Sequence, residues 1–398
     1  MNICMVAYTF YKTDNRVRRY AEALVQRGDN VDAIALQGNS SKTLENVCGV
    51  NVYKIQKRQY NERSSVMYLG RLLKFLFKSF LLLSRLHLKR KYDLVHVHSV
   101  PDFEVFCTLF VKFTGTKVIL DIHDAVPELY CSKFNASRGS LLFNTLVVIE
   151  WISCHFADHV IVANDVWHER IAKRSARKKG SSVIMNYPDP RIFQLNDRQK
   201  PEKDAGKFVL IYPGTLSKHQ GIDTVIFAVN KVRKDIPGLE FRIYGKGSDA
   251  DYFAQLIKEL HLEQIVSING ARPSEEIAEL LSHADVGIEP KTKVNLFSNE
   301  AFSTKILEFM LSGIPVIASD TLIHKYYIDG SLVKYFRAGD IDDLAESILF
   351  IYKEKSFSKN MIERASHFIK SNTWDVKKYK YLELVDSLVK KATTGIRS

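Results

Sequence analysis

Short runs of residues that are apolar throughout recur along the chain, and helical segments separate them. In the first half these runs are NICMVAY, VDAIAL, LVHVHS, KVILDIHD and HVIVAN. A strand that is apolar on both faces is buried on both faces. In alternation with helices, such strands predict a parallel sheet covered by two helical layers. The sequence therefore predicts an α/β protein.

The same alternation restarts after a polar, proline-containing segment at residues 186–207, NYPDPRIFQLNDRQKPEKDAGK, which we interpret as a linker. The second set of strands is KFVLIYPG, LEFRIYG, QIVSING, VGIEP, PVIASD and LVKYF. A chain of 398 residues is too long for one core and fits two domains of roughly 150–200 residues. We therefore predict two doubly wound Rossmann-like domains, 1–190 and 191–375, that face a central cleft. A C-terminal helix at 376–398 is expected to return toward the first domain.

Some classes of protein are disfavoured by what the sequence lacks. No GxGxxG follows the first strand of either half, and the loop in the first half reads TFYKTDNR, which disfavours a nicotinamide dehydrogenase. The five cysteines are scattered without a CxxC pair, as expected for free thiols in a reducing compartment and not for a zinc site. The start, MNICMVAY, lacks the basic region of a signal peptide, so we expect a cytoplasmic protein.

Much of the net charge of +12 lies in one segment, residues 54–91, where many Lys and Arg stand against a single acid, Glu62. Within it, YLGRLLKFLFKSFLLLSRLHLKRK carries basic residues at spacings that place them on one face of a helix. These residues are Arg71, Lys74, Lys78 and Arg85, and Leu69, Leu72, Leu73, Leu76, Phe80 and Leu83 fill the remaining surface. The charges interrupt the roughly 20 apolar residues that a bilayer span needs. Such a helix either lies on an anionic membrane or is a core helix with a solvated basic stripe.

The segment NEAFSTKILEFMLSGIPVIASD, residues 299–320, places a carboxylate, Glu308, among large apolar side chains. A carboxylate in such surroundings is costly unless it is hydrogen-bonded. A vicinal diol, such as the ribose of a nucleotide, can donate two hydrogen bonds to it, as in dinucleotide-binding folds.

Ser303 and Thr304 are good N-cap residues, so we expect the helix to begin there with free N–H groups. Those donors, the helix dipole and Lys305 would bind a diphosphate. Glu300, just before the helix, would then face the part of the ligand beyond the phosphates. In the alternative interpretation, Lys305 and Glu308 form a surface pair and Glu300 is an ordinary loop acid.

The spacing from Glu300 to Glu308, followed by FMLSGIPVIASD, resembles the signature of retaining glycosyltransferases with the GT-B fold, glycosyltransferase family 4. Further segments with this resemblance extend over nearly the whole chain, among them TDNRVRRYAEALVQRGDNV, YDLVHVHSVPDFEVF, KVILDIHDAVPELY, YPGTLSKHQGID and INGARPSEEIAELLSHADVGIEP. The resemblance implies a retaining, hexosyltransferase-like enzyme that needs no metal or other cofactor. Its donor would be a nucleotide-diphosphate sugar, UDP- or GDP-linked, and its acceptor a glycan or lipid-linked hydroxyl.

The resemblance also implies roles for individual residues. Glu308 would bind the ribose, Glu300 the transferred sugar, and His123, at the end of VILDIH, the donor sugar at the reacting centre. Lys305 would stabilise the leaving group. The other donor-binding positions are Gly214, Thr215, Lys218, Ala301, Phe302, Ser303 and Thr304. Asp121 and Asp124 are placed to orient the His123 ring. The acceptor and membrane side would comprise the loop at residues 8–16, Asp124 in the DIHD turn, and Arg71, Lys74, Lys78 and Arg85.

The sequence departs from the family pattern in the loop after YPG. The family often has an Arg directly after that glycine and a Lys before the next one, and both grip the phosphates. Thr215 and Gln220 occupy these positions here, which leaves Lys218 or His219 as alternative sources of charge. Elsewhere, His96 and His98 in VHVHS have no third metal ligand in the sequence pattern, so no metal site is predicted.

The resulting hypothesis is a glycosyltransferase of capsule, exopolysaccharide or O-antigen synthesis, peripheral at the inner face of the cell membrane. Two alternatives remain. A nucleotide-sugar epimerase or hydrolase would share the fold. A nucleic-acid-binding protein would share the positive charge, but the basic residues here alternate with Leu and Phe at helical spacing and lack exposed aromatic stacking positions. We therefore expect no nucleic-acid partner.

Overall fold

Two α/β units make up the protein in the computed structural model, as the alternation of strands and helices predicted. The described residues are 1–38, 42–58, 65–134, 137–175, 180–193 and 204–394. Unit 1 comprises Met1–Asn186 and Lys378–Ser398, and unit 2 comprises Tyr187–Lys377. Of the segment interpreted as a linker, residues 194–203 lie outside the described residues.

The described part of unit 1 contains one eight-stranded sheet. Its strands are β1 (Asn2–Ala7), β2 (Asn30–Gln37), β3 (Leu44–Val47), β4 (Val50–Lys57), β5 (Leu94–His98), β6 (Lys117–Ile122), β7 (His159–Val162) and β8 (Ser181–Val183). Their order is β3-β4-β2-β1-β5-β6-β7-β8, and only the edge pair β3–β4 is antiparallel. The residues of β5 are all buried, because helices cover both faces of the parallel part.

The helices of unit 1 are α1 (Asn15–Gln26), α2 (Ser65–Arg90), α3 (Leu109–Phe113), α4 (Val126–Phe134), α5 (Leu141–Phe156) and α6 (Asp165–Arg174). The side chain of Asp14 caps α1 by accepting from the first N–H groups of that helix. Before α3 begins, Asp102–Thr108 forms a 3-10 helix. The aromatic and β-branched residues of this stretch are weak α-helix formers, and short 3-10 pieces are common at helix starts.

Unit 2 has a six-stranded sheet in its described part, in the order β11-β10-β9-β12-β13-β14. The strands are β9 (Phe208–Pro213), β10 (Leu239–Tyr244), β11 (Val266–Ile268), β12 (Val286–Glu289), β13 (Val316–Ser319) and β14 (Lys334–Phe336). All neighbouring pairs are parallel. The carboxyl ends of these strands therefore lie along one edge, where ligands bind in open α/β sheets.

The helices of unit 2 are α7 (Ile222–Val232), α8 (Ala250–Glu259), α9 (Ser274–Ser282), α10 (Leu296–Glu300), α11 (Thr304–Leu311), α12 (Leu322–Tyr327), α13 (Ile341–Lys353) and α14 (Lys355–Lys370). The predicted start of α11 is confirmed, with Ser303 at its N-cap. A side chain at Gly287 of β12 would place its Cβ 2.5 Å from the ring of Phe309. Glycine at this position therefore lets α11 pack directly on the sheet.

The last helix, α15 (Trp374–Thr394), contributes a tyrosine to the interior of unit 1. The side chain of Tyr381 is fully buried, and its ring centroid lies 4.3 Å from that of Tyr20. Its hydroxyl is 3.0 Å from Nδ1 of His96, so its one polar group is hydrogen-bonded. A buried tyrosine with a satisfied hydroxyl stabilises a core through both its area and its ring contacts.

Replacement of Tyr381 by alanine should therefore destabilise unit 1. We expect a loss of about 3–5 kcal/mol in the free energy of unfolding, as for other large aromatic residues truncated in a core. Urea denaturation followed by circular dichroism measures it. The control is Tyr379→Ala on the same helix, because Tyr379 is 60% exposed and surface substitutions usually change stability by less than about 0.5 kcal/mol. Equal losses in the two variants would contradict the buried position of Tyr381.

Candidate functional site

A buried ion pair lies at the carboxyl edge of the unit 2 sheet. Glu289, the last residue of β12, is fully buried, and its Oε2 is 2.9 Å from Nζ of Lys305. Burial alone raises the pKa of Glu289, but the nearby Lys305 and Lys291 outweigh it and leave that pKa below its ordinary value. Burial alone lowers the pKa of Lys305, but Glu289 raises it above its ordinary value. Both groups are therefore charged at neutral pH.

This ion pair changes the interpretation of Lys305. The alternative drawn from the sequence paired Lys305 with Glu308 on the surface of the helix, whereas Lys305 forms its ion pair with Glu289 on the neighbouring strand. Its ammonium also lies 4.9 Å from the ring centroid of Tyr212, a distance at which a cation is attracted to the ring face. Glu308, one turn further along α11, is half-buried.

The turn after β9 approaches the same lysine. A Cβ on Gly214 would lie 2.8 Å from the Tyr212 hydroxyl and 3.2 Å from Nζ of Lys305, so the position has no room for a side chain. On its other side, a Cβ on Gly245 would lie 1.7 Å from the carbonyl oxygen of Gly214. The structure thus brings Gly214 and Lys305, two residues that the sequence analysis assigned to donor binding, close together.

The start of α11 differs in detail from the expectation. The Ser303 hydroxyl makes no capping hydrogen bond within the described residues, so the first-turn N–H groups are not capped by that side chain. Glu300 is the last residue of the short helix α10 and is buried, whereas the alternative interpretation made it an ordinary loop acid. Phe302, between the two helices, packs edge-on against Tyr327.

The β9 loop, defined as residues 214–221, carries less charge toward the site than its sequence indicates. Thr215 is exposed, and the ammonium of Lys218 lies 4.0 Å from the ring centroid of Tyr252. The pKa of His219 is lowered, first by burial and then by the nearby Lys291. At neutral pH the His219 ring is therefore uncharged.

A carboxylate in unit 1 binds several side chains of the candidate site at once. Asp121, in β6, is fully buried. Arg16 of α1 donates to both of its oxygens, from Nε at 2.8 Å and from Nη2 at 2.6 Å. Nε2 of His123 lies 3.0 Å from Oδ2 of the same carboxylate. Burial raises the pKa of Asp121, but Arg16 and His123 outweigh it and hold that pKa well below its ordinary value. As expected from the sequence, Asp121 orients the His123 ring.

The two histidines of VHVHS are also part of this cluster. Nδ1 of His98 is 3.2 Å from both Asp121 Oδ2 and His123 Nε2, and the His96 ring stacks on His98. The statement that the pair lacks a third ligand is wrong, because Asp121 joins His96 and His98 in a group close enough to bind a metal ion. This carboxylate belongs to a separate strand, so no spacing pattern could reveal it. The Arg16 guanidinium already neutralises the charge of the Asp121 carboxylate. Burial lowers the pKa of both His96 and His98.

An open pocket of about 210 Å³ lies beside this cluster in unit 1. Its lining comprises Ala7, Tyr8, Thr9, Asp14, Arg58, Tyr68, His98, Ser99, Val100, His123 and Asp124. These residues lie at or just after the carboxyl ends of β1, β4, β5 and β6, or near the start of α2. The first loop and the DIHD turn, which the sequence assigned to the acceptor side, therefore line one pocket.

Helix α2 differs from the predicted division into a basic face and an apolar face. Lys74 and Arg85 are exposed, whereas Arg71 and Lys78 are half-buried and Lys78 donates to the carbonyl oxygen of Ile55 at 2.8 Å. The outward surface also carries exposed apolar side chains, namely Met67, Leu69, Leu73, Phe77, Leu81 and Leu88. The spacing of the charges could not reveal this, because packing decides which side of the helix is buried. Among the described helices, none has the length and apolarity needed to cross a membrane.

Four residues of these clusters were not singled out from the sequence. They are Arg16, Glu289, Lys291 and His324. His324 is fully buried near Glu289, and burial lowers its pKa to about 4. Of these four residues, only Glu289 has a recognisable signal in the sequence, because it ends an otherwise apolar strand, VGIE.

Two family models match the chain. The model described as "Glycosyl transferase 4-like domain" matches residues 13–186, and the model described as "Glycosyl transferases group 1" matches residues 193–368. Together the two matches span most of the sequence.

The curated relatives are distant. The GtfA component of the UDP-N-acetylglucosamine–peptide N-acetylglucosaminyltransferase of Streptococcus pneumoniae is 24% identical over 217 residues, covering 54% of this chain and 41% of that protein. A human component of phosphatidylinositol N-acetylglucosaminyltransferase is 23% identical over 327 residues, covering 80% of this chain and 62% of that protein. The chain thus spans less than two thirds of either relative.

Solved structures match over almost the whole chain. Sucrose-phosphate synthase from Thermosynechococcus elongatus has a TM-score of 0.74 at 18% identity. The match covers 98% of this chain and 99% of the synthase chain. HepE of Anabaena, in complex with UDP and glucose, has a TM-score of 0.73 at 18% identity, with coverages of 97% and 99%. At this level of identity the likeness establishes the fold.

The buried ion pair between Asp121 and Arg16 should make the stability of the protein depend on pH. Asp121→Asn should cost about 3–5 kcal/mol at pH 7, because it leaves the Arg16 guanidinium buried without a counter-charge. The lowered pKa of Asp121 means that its contribution is complete above the unfolded carboxyl pKa of about 3.9 and is lost as pH falls further, through the folded-state pKa. Denaturation at a series of pH values should therefore show wild type and variant converging only below about pH 4.

The matched control is Asp386→Asn, since Asp386 pairs with Arg27 at 2.8 Å at a more exposed position. Such exposed pairs contribute about 0–1 kcal/mol. A loss for Asp121→Asn no larger than for Asp386→Asn would contradict the assigned ion pair.

Proposed function

Because this chain belongs to the group 1 glycosyltransferases and has their GT-B fold, we propose that it is a retaining, metal-independent glycosyltransferase. It moves a sugar from a nucleotide-diphosphate donor to a hydroxyl of a glycan or lipid-linked acceptor. The structure of HepE contains UDP and glucose, so a UDP-sugar is the first donor to test and a GDP-sugar the second. Unit 2 is the proposed donor-binding unit and unit 1 the proposed acceptor-binding unit.

The observation that carries the proposal is the convergence of Lys305, the start of α11 and the narrow turn at Gly214. A helix N-terminus with a lysine beside it suits an anion, and the absence of a side chain at Gly214 lets Lys305 approach the turn after β9. Thr304 and Glu308 are four residues apart on α11, so they lie on the same side of the helix. A nucleotide with its phosphates at Thr304 would therefore present its ribose toward Glu308, and Glu300 is proposed to bind the transferred sugar.

Catalysis in this proposal depends on stabilising the leaving group. Cleavage of the anomeric bond leaves negative charge on the β-phosphate, and donors that are already fixed in position stabilise such charge better than water does. The N–H groups at 302–304 and the ammonium of Lys305 are the proposed donors, since the N–H of Ala301 already donates to the carbonyl oxygen of Phe297 at 2.9 Å. Lys305 remains protonated, because the neighbouring Glu289 raises its pKa.

His123 is proposed to contact the transferred sugar. Its Nε2 is held by Asp121 at 3.0 Å, so the ring has one orientation. The acceptor is proposed to bind in the unit 1 pocket beside Asp124. For a retaining reaction we propose that an oxygen of the leaving phosphate takes the acceptor proton on the same face of the sugar. No protein side chain is assigned as general base.

A lipid-linked acceptor would bring the enzyme to a membrane surface, and unit 1 has features that fit one. The exposed apolar side chains of α2 lie beside the exposed Lys74 and Arg85. Helix α5 also exposes apolar residues, namely Leu141, Leu142, Val148, Trp151 and Ile152. Apolar side chains flanked by basic ones bind anionic bilayers through both burial and charge. We therefore propose peripheral attachment at the inner face of the cell membrane, in capsule, exopolysaccharide or O-antigen synthesis.

Nucleotide binding can be tested by thermal shift with UDP, GDP and ADP. One of them should raise the melting temperature of the wild type, because a ligand at 100 times its Kd adds about 2.7 kcal/mol of stability. In Glu308→Ala the shift should be lost or greatly reduced, since the variant cannot accept hydrogen bonds from the ribose.

The control for that variant is Glu363→Ala, at an exposed position of α14, which should retain the wild-type shift. Turnover of the donor should fall in Glu308→Ala and not in Glu363→Ala. Full turnover by Glu308→Ala would overturn the ribose assignment. Donor hydrolysis or isomerisation that proceeds faster than transfer would instead identify the epimerase or hydrolase alternative.

Membrane attachment can be tested by co-sedimentation with phosphatidylglycerol-containing and pure phosphatidylcholine vesicles. The double variant Lys74→Glu/Arg85→Glu should bind anionic vesicles at least about tenfold more weakly, since each basic residue near the surface contributes about 1 kcal/mol. The matched control is Lys234→Glu/Lys258→Glu, at exposed lysines of unit 2. Binding that ignores salt, or that falls equally in both double variants, would rule out this surface.

A further inference from the structure

The β9 loop leaves the source of positive charge at the proposed diphosphate site unexplained. The Lys218 ammonium lies on the ring of Tyr252, and the lowered pKa of His219 leaves that ring uncharged. Lys305 is charged, but the carboxylate of Glu289 at 2.9 Å cancels much of its field. A second cation would strengthen the binding of a diphosphate, and the structure contains one next to this pair.

That cation is Lys291, two residues after Glu289 in the loop that follows β12. Its side chain is only 6% exposed, which is rare for a lysine. Nζ of Lys291 donates to the carbonyl oxygen of Ala301 at 2.8 Å. The charge of Lys291 also lowers the pKa of both Glu289 and His219, so the ammonium acts on the ion pair and on the β9 loop.

The Lys291 segment is attached to the β9 loop through its backbone. Both the N–H and the hydroxyl of Thr292 donate to the carbonyl oxygen of His219, at 3.1 and 3.0 Å. A Cβ on Gly221 would lie 2.1 Å from the carbonyl oxygen of Pro290, so only glycine permits this approach. The β9 loop, the loop that follows β12 and residue 301 therefore pack together around Lys291.

We propose that Lys291 binds the diphosphate of the donor, in place of the cations that family members often carry at the positions of Thr215 and Gln220. This inference rests on the proposed function and extends it by one residue. With Lys305 and Glu289, Lys291 makes a buried group of two ammonium ions and one carboxylate, which has a net positive charge before the ligand arrives. The negative charge of Glu289 lowers the free-energy cost of burying two neighbouring lysines. The hydrogen bond from Lys291 to the carbonyl oxygen of Ala301 positions the backbone at 301–304.

The experiment measures nucleotide affinity by isothermal titration calorimetry in Lys291→Gln, Lys291→Arg and the wild type. The probes are UDP, GDP and ADP, each with its nucleoside. Lys291→Gln removes the charge and retains an N–H donor, on a side chain one bond shorter than that of lysine. We expect it to weaken diphosphate binding by about 10- to 100-fold, the usual effect of losing a charged hydrogen-bond partner. Nucleoside affinity should change less than about twofold, and Lys291→Arg should restore most of the diphosphate affinity.

A matched control and the melting temperature without ligand separate binding from folding. Lys258→Gln, at an exposed position of α8, should leave every affinity unchanged. Wild-type affinity for the diphosphate in Lys291→Gln would overturn the inference while leaving the proposed function intact. An equal loss for nucleoside and diphosphate would also overturn it, because Lys291 would then act only on the shape of the loop. If the wild type bound none of the three nucleotides, the proposed function would fail, and this inference with it.

Discussion

Each unit is organised around a fully buried carboxylate at or next to the carboxyl end of a central strand, paired with a basic side chain from the start of a helix. In unit 1, Asp121 of β6 binds Arg16 of α1, and in unit 2, Glu289 of β12 binds Lys305 of α11. A buried charge without its partner would cost several kcal/mol, so each pair constrains where its helix begins relative to the sheet. The other polar groups of both candidate sites lie around these pairs.

The pairs also determine which groups carry charge. Asp121 remains ionised, and burial lowers the pKa values of His98 and His96 although Asp121 raises them, so the interior of unit 1 holds a neutral stack of histidines beside one charged pair. In unit 2, Glu289 keeps Lys305 protonated. A fixed positive charge next to a narrow glycine turn is the physical basis of the donor site proposed here, because it requires no rearrangement when the phosphate arrives.

Several features could be predicted from the sequence because they depend on local pattern. Apolar runs predicted the strands, and Ser303 followed by Thr304 predicted the start of α11, which the structure confirms. Other features could not be predicted from the pattern. Glu300 ends the separate helix α10, and the stretch at Asp102–Thr108 is a 3-10 helix. Elements of five to seven residues are too short to show a helical period, although Asn295 caps the start of α10.

The sequence by itself determined that the chain forms two parallel sheets and that its polar residues follow the carboxyl ends of the strands, since burial on both faces leaves only the ends for polar groups. Only the tertiary structure decided which charges meet. Lys305 pairs with Glu289 across the sheet edge, and Lys291 contacts residue 301 of a later segment. Spacing along a helix offers Lys305 the nearby Glu308 as a partner. Packing against β12 provides a fully buried carboxylate instead, and charges interact more strongly where water is excluded.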